Sequence, residues 1–142
     1  RSLEEELANL SLEFGHHVTK TKRIRFTSAN QNEVIPKVMK EFREKSLSTI
    51  NKMQVQSVKD YSMQDLESNL PTADLIVINL EKNVRISIRP SGTEPMIKLY
   101  MEKVMHITER HDLPRKNIEA KSVLEELSSW LENAFKELAV AK

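Results

Sequence analysis

The sequence predicts an α+β fold, in which a mostly antiparallel four-stranded sheet carries helices packed on one face. Short segments with alternating apolar and polar residues indicate half-buried strands. Two longer segments with apolar residues at helical spacing indicate amphipathic helices. The last strand segments follow each other at hairpin distance, which favours antiparallel pairing.

Composition narrows the class of protein before any motif is considered. The 142 residues suit one domain, and 22 Lys and Arg nearly balance 21 Asp and Glu, so a general nucleic-acid binder is not expected. The chain has no cysteine and no apolar run of membrane-spanning length, so we expect a cytoplasmic protein without membrane contacts. With Gly15 and Gly92 as its only glycines, it lacks the glycine-rich nucleotide loops.

The first predicted element is a short helix over residues 2 to 14, which ends at Gly15. Ser2 and Glu5 are spaced as a capping box. Because the chain opens with Arg1 rather than Met, it has the character of a piece of a longer protein. We therefore expect residues 1–17 to be the tail of a preceding domain and a linker, with exposed histidines at its end, and residues 18–142 to form the domain that follows.

The next two elements are a strand and a helix. Residues 18–26 alternate as a half-exposed strand with Val18, Ile24 and Phe26 on one face. The strand carries four cations, Lys20, Lys22, Arg23 and Arg25. They could indicate nucleic-acid binding, but positive charge that protects the edge of a sheet is the commoner case, and we prefer that interpretation. A helix is predicted from about residue 32 to 45, with Pro36 near its first turn.

The second half of the chain contains further strand segments and a long helix. Alternating or apolar runs at residues 52–60, 74–80, 84–89 and 97–104 indicate strands. Residues 117–140 have apolar side chains at helical spacing, so this helix should lie across the sheet. His106 and His111 precede it in a polar stretch and are interpreted as exposed loop residues, with no metal site expected.

The stretch RPSGTEP, residues 89 to 95, connects the last two strands and has the chemistry of an anion-binding loop. Arg89 offers a planar fork that matches two phosphate oxygens. Ser91 and Thr93 add hydroxyl donors, and Gly92 lets backbone N–H groups approach an anion closely. Glu94 should turn away and bond the loop backbone or a neighbouring cation. An ordinary hairpin turn is the alternative, since Pro, Ser and Gly suit turns as well.

The longer string RPSGTEPMIKLYMEK resembles the phosphate-binding signature of the C-terminal domain of α-D-phosphohexomutases, the phosphoglucomutase and phosphomannomutase family. The resemblance covers nearly the whole chain. It implies a fold similar to half of a TATA-box-binding protein, and a fourth domain that binds the substrate phosphate. The phosphate-binding residues would be Arg89, Ser91, Gly92 and Thr93, with Lys98 as a further candidate.

The family resemblance also implies chemistry outside this chain. In the family, an enzyme phosphoserine exchanges phosphoryl groups with a sugar phosphate through a sugar bisphosphate, with magnesium as cofactor. This chain has no serine loop like TASHN, no DGDGD metal loop and no GEESGH sugar loop. We therefore expect no catalytic residue, metal ligand or cofactor here, and expect the partners to be the sugar phosphates and the missing N-terminal domains, with no nucleic acid and no membrane.

One departure from the family and two open alternatives remain. Met96 stands where many members carry lysine, and Lys98 could partly compensate for that missing charge. A stand-alone, non-catalytic module that binds a phosphosugar or another anion is the alternative function. Glucose, mannose, glucosamine and pentose phosphates all remain possible substrates, because the sugar-reading residues would lie in other domains.

Overall fold

The computed structural model describes residues 3, 5–6, 15–26, 31–45, 47–61, 74–91 and 94–140. Its main elements are six strands and two α-helices, with single-turn 3₁₀ helices at Glu81–Asn83 and Arg110–Asp112. The strands are β1 (His16–Arg25), β2 (Thr49–Ile50), β3 (Met53–Asp60), β4 (Ile76–Leu80), β5 (Val84–Pro90) and β6 (Met96–Met105), and the helices are α1 (Gln31–Glu44) and α2 (Leu113–Val140). The prediction of an α+β fold is therefore confirmed.

The strands form one sheet in the order β1-β6-β5-β4-β3-β2, and every pairing is antiparallel. The prediction of four strands is wrong. All five segments with strand character join the sheet, and β2 adds a sixth strand through a tight hairpin. Asn51 and Lys52 at this turn both have positive φ, 48° and 68°, which is the backbone geometry that short hairpins require.

Both helices pack on the same face of the sheet, as predicted. Helix α2 lies against β1 and β6, and α1 lies against α2. The two helices meet where the rings of Phe42 and Phe135 stack with their centroids 4.9 Å apart. Buried side chains from the sheet complete this core; they include Ile24, Ile76, Ile78, Ile86, Ile88, Leu99 and Met101. The opposite face carries no helix within the described residues, and we call it the open face.

Several boundaries differ from the predicted ones. Helix α2 begins at Leu113, four residues earlier than expected, because Pro114 is tolerated in a first helical turn. Strand β1 begins at His16, so the two adjacent histidines belong to a strand and not to an exposed linker. Of the predicted helix over residues 2–14, the structure describes residues 3, 5 and 6, which are helical. The likeness to half of a TATA-box-binding protein stays a prediction.

Candidate functional site

The hairpin loop between β5 and β6 is the candidate site, and backbone hydrogen bonds close its ends. The Ser91 N–H donates to the carbonyl of Met96 at 2.9 Å, and the Met96 N–H donates to the carbonyl of Glu94 at 2.8 Å. The first bond extends the pairing of β5 with β6 into the loop, and the second closes a tight turn at the exit of the loop, so the ends of the loop are fixed. Gly92 and Thr93, at the tip, lie outside the described residues.

Strand β1 supports the loop from the side. The carboxylate of Glu94 accepts a hydrogen bond from the Arg25 guanidinium at 3.0 Å, and the Phe26 N–H donates to the carbonyl of Pro95 at 2.9 Å. The Ser91 hydroxyl oxygen accepts from the Glu94 N–H at 3.2 Å. The prediction that Glu94 bonds a neighbouring cation is confirmed. Its negative charge is thereby neutralised by Arg25.

Arg89 and Lys98 are adjacent on the open face. Their Cα atoms are direct partners across the β5–β6 ladder, and Arg89 is exposed while Lys98 is half-buried. On the other side, Lys98 is the direct partner of Arg23 on β1. Directly opposed residues of a sheet share a face. The structure therefore aligns three cations across β1, β6 and β5 at the loop end of the sheet, and we call Arg23, Lys98 and Arg89 the cation row.

Among the described residues, the members of the cation row have no acidic partner, unlike Lys20, Lys22 and Arg25 of β1. Within the described part of the chain, no carboxylate lies within ion-pair distance of any of the three. On the helix face of β1, by contrast, Lys20 pairs with Glu125 at 2.7 Å and Lys22 with Glu132 at 2.8 Å. Hydrogen bonds from Lys136 and from Lys22 hold the pKa of Glu132 below its ordinary value.

Farther from the loop, the open face is neutral or mixed in charge. Arg85 donates from Nε to the amide oxygen of Asn79 at 3.2 Å, and Asn79 donates to the Ser57 hydroxyl at 3.0 Å. Arg85 is the direct partner of Glu102, which also lies 3.6 Å from a ring nitrogen of His17. Among the described residues, Arg85 and the exposed Lys59 of this face also have no carboxylate within ion-pair distance, but Arg85 is bonded to Asn79 and Lys59 lies 5.0 Å from the centroid of the Tyr61 ring. The cation row differs from them in that its three cations are directly adjacent.

The positions of Met96, His16 and His17 can also be compared with the predictions from sequence. Met96 is 5% exposed, so it contributes packing at the loop's exit, where lysine would contribute charge. His16 bonds Asn117 of α2 at 2.8 Å, whereas His17 lies on the open face beside Glu102. The two histidines point to opposite sides of the sheet, as adjacent residues of a strand do.

Two other features could bind ligands, and neither involves the loop. A cavity of about 420 Å³ lies on the helix face and has a mainly apolar lining that includes Phe42, Ile50 and Ile78. Near the start of α2, ligand atoms of Glu109, His111 and Asp112 come within 4.8 Å of one another. Sequence analysis missed this cluster. Arg115 also pairs with Asp112 at 3.3 Å, so the carboxylate is already bonded to a cation.

The fold and the loop together define an α+β domain with positive charge concentrated at one end of an open sheet. The family described as phosphoglucomutase/phosphomannomutase, C-terminal domain, matches residues 24–106, more than half of the chain. The chain therefore belongs to this family and corresponds to its C-terminal domain. No helix in the described ranges has the length and apolar character needed to cross a membrane.

Named relatives agree with this family. A probable phosphomannomutase of Haemophilus influenzae is 31% identical over 102 residues, which cover 72% of this chain and 19% of that protein. A phosphoglucomutase of Staphylococcus epidermidis is 29% identical over 110 residues, covering 71% and 20%. One of Staphylococcus saprophyticus is 27% identical over 124 residues, covering 78% and 22%. The chain thus spans about a fifth of the length of these relatives.

Proposed function

We propose that this chain is the C-terminal domain of a phosphohexomutase, and that residues 89–93 bind the phosphate of the sugar-phosphate substrate during phosphoryl transfer. The observation that carries the proposal is the position of Arg89, an exposed cation with no acidic partner in the described residues, next to Lys98 at the end of a closed hairpin. A site of this kind attracts a phosphate group more strongly than a site with paired cations.

Each proposed residue has a separate task at the phosphate. The Arg89 guanidinium donates two parallel hydrogen bonds to phosphate oxygens, and Lys98 adds a compact positive charge. The Ser91 hydroxyl can donate its proton while its oxygen accepts from Glu94, because a hydroxyl does both. Gly92 and Thr93 are included on sequence grounds, as a close-approach position and a further donor.

The role of the domain is to orient the substrate, and bond-making occurs elsewhere in the enzyme. The hydrogen bonds that close the loop reduce the entropy lost when it orders around a phosphate. By binding the phosphate group that does not react, the loop holds the sugar in the orientation that phosphoryl transfer requires. The proposed partners are therefore the sugar phosphate, the sugar bisphosphate and the N-terminal domains of a longer cytoplasmic chain. The division at residues 17 and 18 belongs to this proposal.

Magnesium does not fit this site. The candidate residues are cations and hydroxyls, whereas Mg²⁺ prefers carboxylate oxygens and water. The metal that the family resemblance implies would thus be bound in another domain. No step at the loop depends on it.

Kinetics of the full-length mutase that carries this domain test the proposal. Arg89→Ala should lower kcat/KM for the sugar phosphate by roughly ten- to a hundredfold, because it removes both charge and orientation. Arg85→Ala is the matched control, since it removes an exposed arginine four residues away on the same strand and face. The control should stay within about threefold of the parent. If the two variants behaved alike, the loop would be an ordinary hairpin turn.

A further inference from the structure

Arg23 is a cation that the family resemblance does not assign to the site. Arg23 lies far from the loop in sequence. Its position among the cations of a predicted strand suggested only a sheet edge that is protected by positive charge. The strand pairing changes this interpretation, because Arg23 and Arg89 flank the same lysine, Lys98. Neighbouring strands are about 4.8 Å apart, so the Cα atoms of the two arginines are separated by about 10 Å. Two long side chains at this separation can contact one small ligand.

The charge pattern of β1 supports a binding role for Arg23. Lys20, Lys22 and Arg25 each have an acidic partner, respectively Glu125, Glu132 and Glu94. Arg23 has no such partner among the described residues and is exposed next to another cation. Like charges placed directly opposite each other destabilise a sheet. The arrangement of the cation row is therefore unfavourable until an anion binds there.

We propose that Arg23 is a third phosphate-binding cation of the loop site, reaching the ligand across β6. This inference rests on the proposed function and extends the binding residues from the hairpin to the edge strand. Three cations, two of which are forked donors, match a doubly charged tetrahedral oxyanion with several acceptor oxygens. A singly charged carboxylate offers fewer acceptors and less charge. The ligand class is thus the dianionic phosphate group, free or in a phosphomonoester.

The test measures binding of inorganic phosphate to the 142-residue chain at constant ionic strength and pH 8, by calorimetric titration. Parent, Arg23→Gln, Arg89→Gln and Arg85→Gln are compared. Each variant removes one positive charge from the open face. Arg85 is the matched control, because it is bonded to Asn79 and faces Glu102. Acetate is titrated in parallel as the singly charged anion, and glucose 1-phosphate as the phosphomonoester.

We expect Arg23→Gln to raise the phosphate Kd by about three- to tenfold and Arg89→Gln to raise it by about tenfold or more. Arg85→Gln should change it by less than about twofold. Acetate should bind at least about tenfold more weakly than phosphate. Glucose 1-phosphate should show the same order of variants as inorganic phosphate.

A second readout separates binding from a structural role. Without phosphate, Arg23→Gln should leave the Tm unchanged or raise it by up to about 2 °C, because it relieves repulsion within the cation row. A residue that merely stabilised the edge strand would lower the Tm when replaced. Phosphate should raise the Tm of the parent more than that of Arg23→Gln.

Two results would overturn the inference in distinguishable ways. If Arg89→Gln weakened phosphate binding while Arg23→Gln matched Arg85→Gln, Arg23 would not be a ligand and the proposed function would stand. If Arg89→Gln and the parent bound phosphate equally, or if the parent bound none, both the inference and the proposed function would fail.

Discussion

At the scale of single residues, the partner of each arginine decides its role. Arg25 and Arg89 both lie on the open face near strand ends, yet Arg25 pairs with Glu94 and supports the loop backbone. Arg89 has no such pair among the described residues, which is why we propose it as a phosphate ligand. The sequence identified Arg89 as a candidate phosphate ligand and predicted that Glu94 turns away from the site, because both predictions depend on neighbours within one loop. It did not indicate which of the four β1 cations would be paired.

Lys103 gives a prediction on pH dependence at this scale. Its side chain is 8% exposed and donates to the carbonyl of Lys82 at 2.9 Å. Burial, and then the nearby Lys82 charge, lowers the pKa of Lys103 in the folded chain. Between this lowered value and the ordinary value of 10.5, the unfolded chain binds more protons, so the free energy of unfolding should rise with pH.

Replacing Lys103 tests that dependence directly. Lys103→Met should reduce the rise in the free energy of unfolding across the alkaline range, since it removes the group that titrates differently in the two states. Urea unfolding at several pH values measures the slope. Lys121→Met, at an exposed position of α2, is the control and should keep the parental slope. Equal slopes for parent and Lys103→Met would contradict the assignment.

At the scale of elements, local pairings could be predicted and distant ones could not. The β5–β6 hairpin follows from alternation and a short loop, and the structure places it close to the predicted bounds. The pairing of β1 with β6 joins residues about 80 positions apart, and no local pattern specifies such a partner. For this reason the sequence placed the candidates Arg89 and Lys98 on the two strands of one hairpin but gave no sign that Arg23 lies in the same row.

The packing of the two helices gives a prediction at the element scale. Phe135 of α2 is fully buried and stacks on Phe42 of α1, so Phe135→Ala should lower the free energy of unfolding by about 3 to 5 kcal/mol. Ile118 lies on the same helix but is 68% exposed. Ile118→Ala should therefore cost less than about 0.5 kcal/mol. Urea unfolding of both variants provides the comparison, and similar losses would show that α2 does not pack as described.

At the scale of the whole molecule, the two faces of the sheet differ in composition. The helix face contains the apolar core, and the open face carries charge and hydrogen-bonding groups. The cation row lies at one end of the open face, beside the loop. A phosphate bound there can be reached from outside without disturbing the core. The same surface can face other domains of a longer chain, as expected of a domain that orients a substrate.

Because the proposed bond-making groups lie in other domains, we predict that this chain alone is inactive. With magnesium and a sugar bisphosphate activator present, we expect the 142-residue chain to convert no glucose 1-phosphate, because it contains no serine loop of the phosphohexomutase type. A coupled assay for glucose 6-phosphate measures this. The control is the longer mutase at the same concentration. Measurable turnover by the chain, in a preparation free of host mutase, would contradict the proposed role.

The most direct test of phosphate binding at the loop is an NMR titration of the ¹⁵N-labelled chain with inorganic phosphate. Binding should shift the amide signals of the non-proline residues between 89 and 98 in a saturable manner, with the largest changes at Arg89, Ser91, Gly92 and Thr93. Arg89→Ala should abolish most of these shifts, whereas Arg85→Ala should retain them. Saturable shifts centred elsewhere, for example on residues 109–112 or on the apolar cavity, or no shifts at all, would contradict the central claim that this hairpin is a phosphate site.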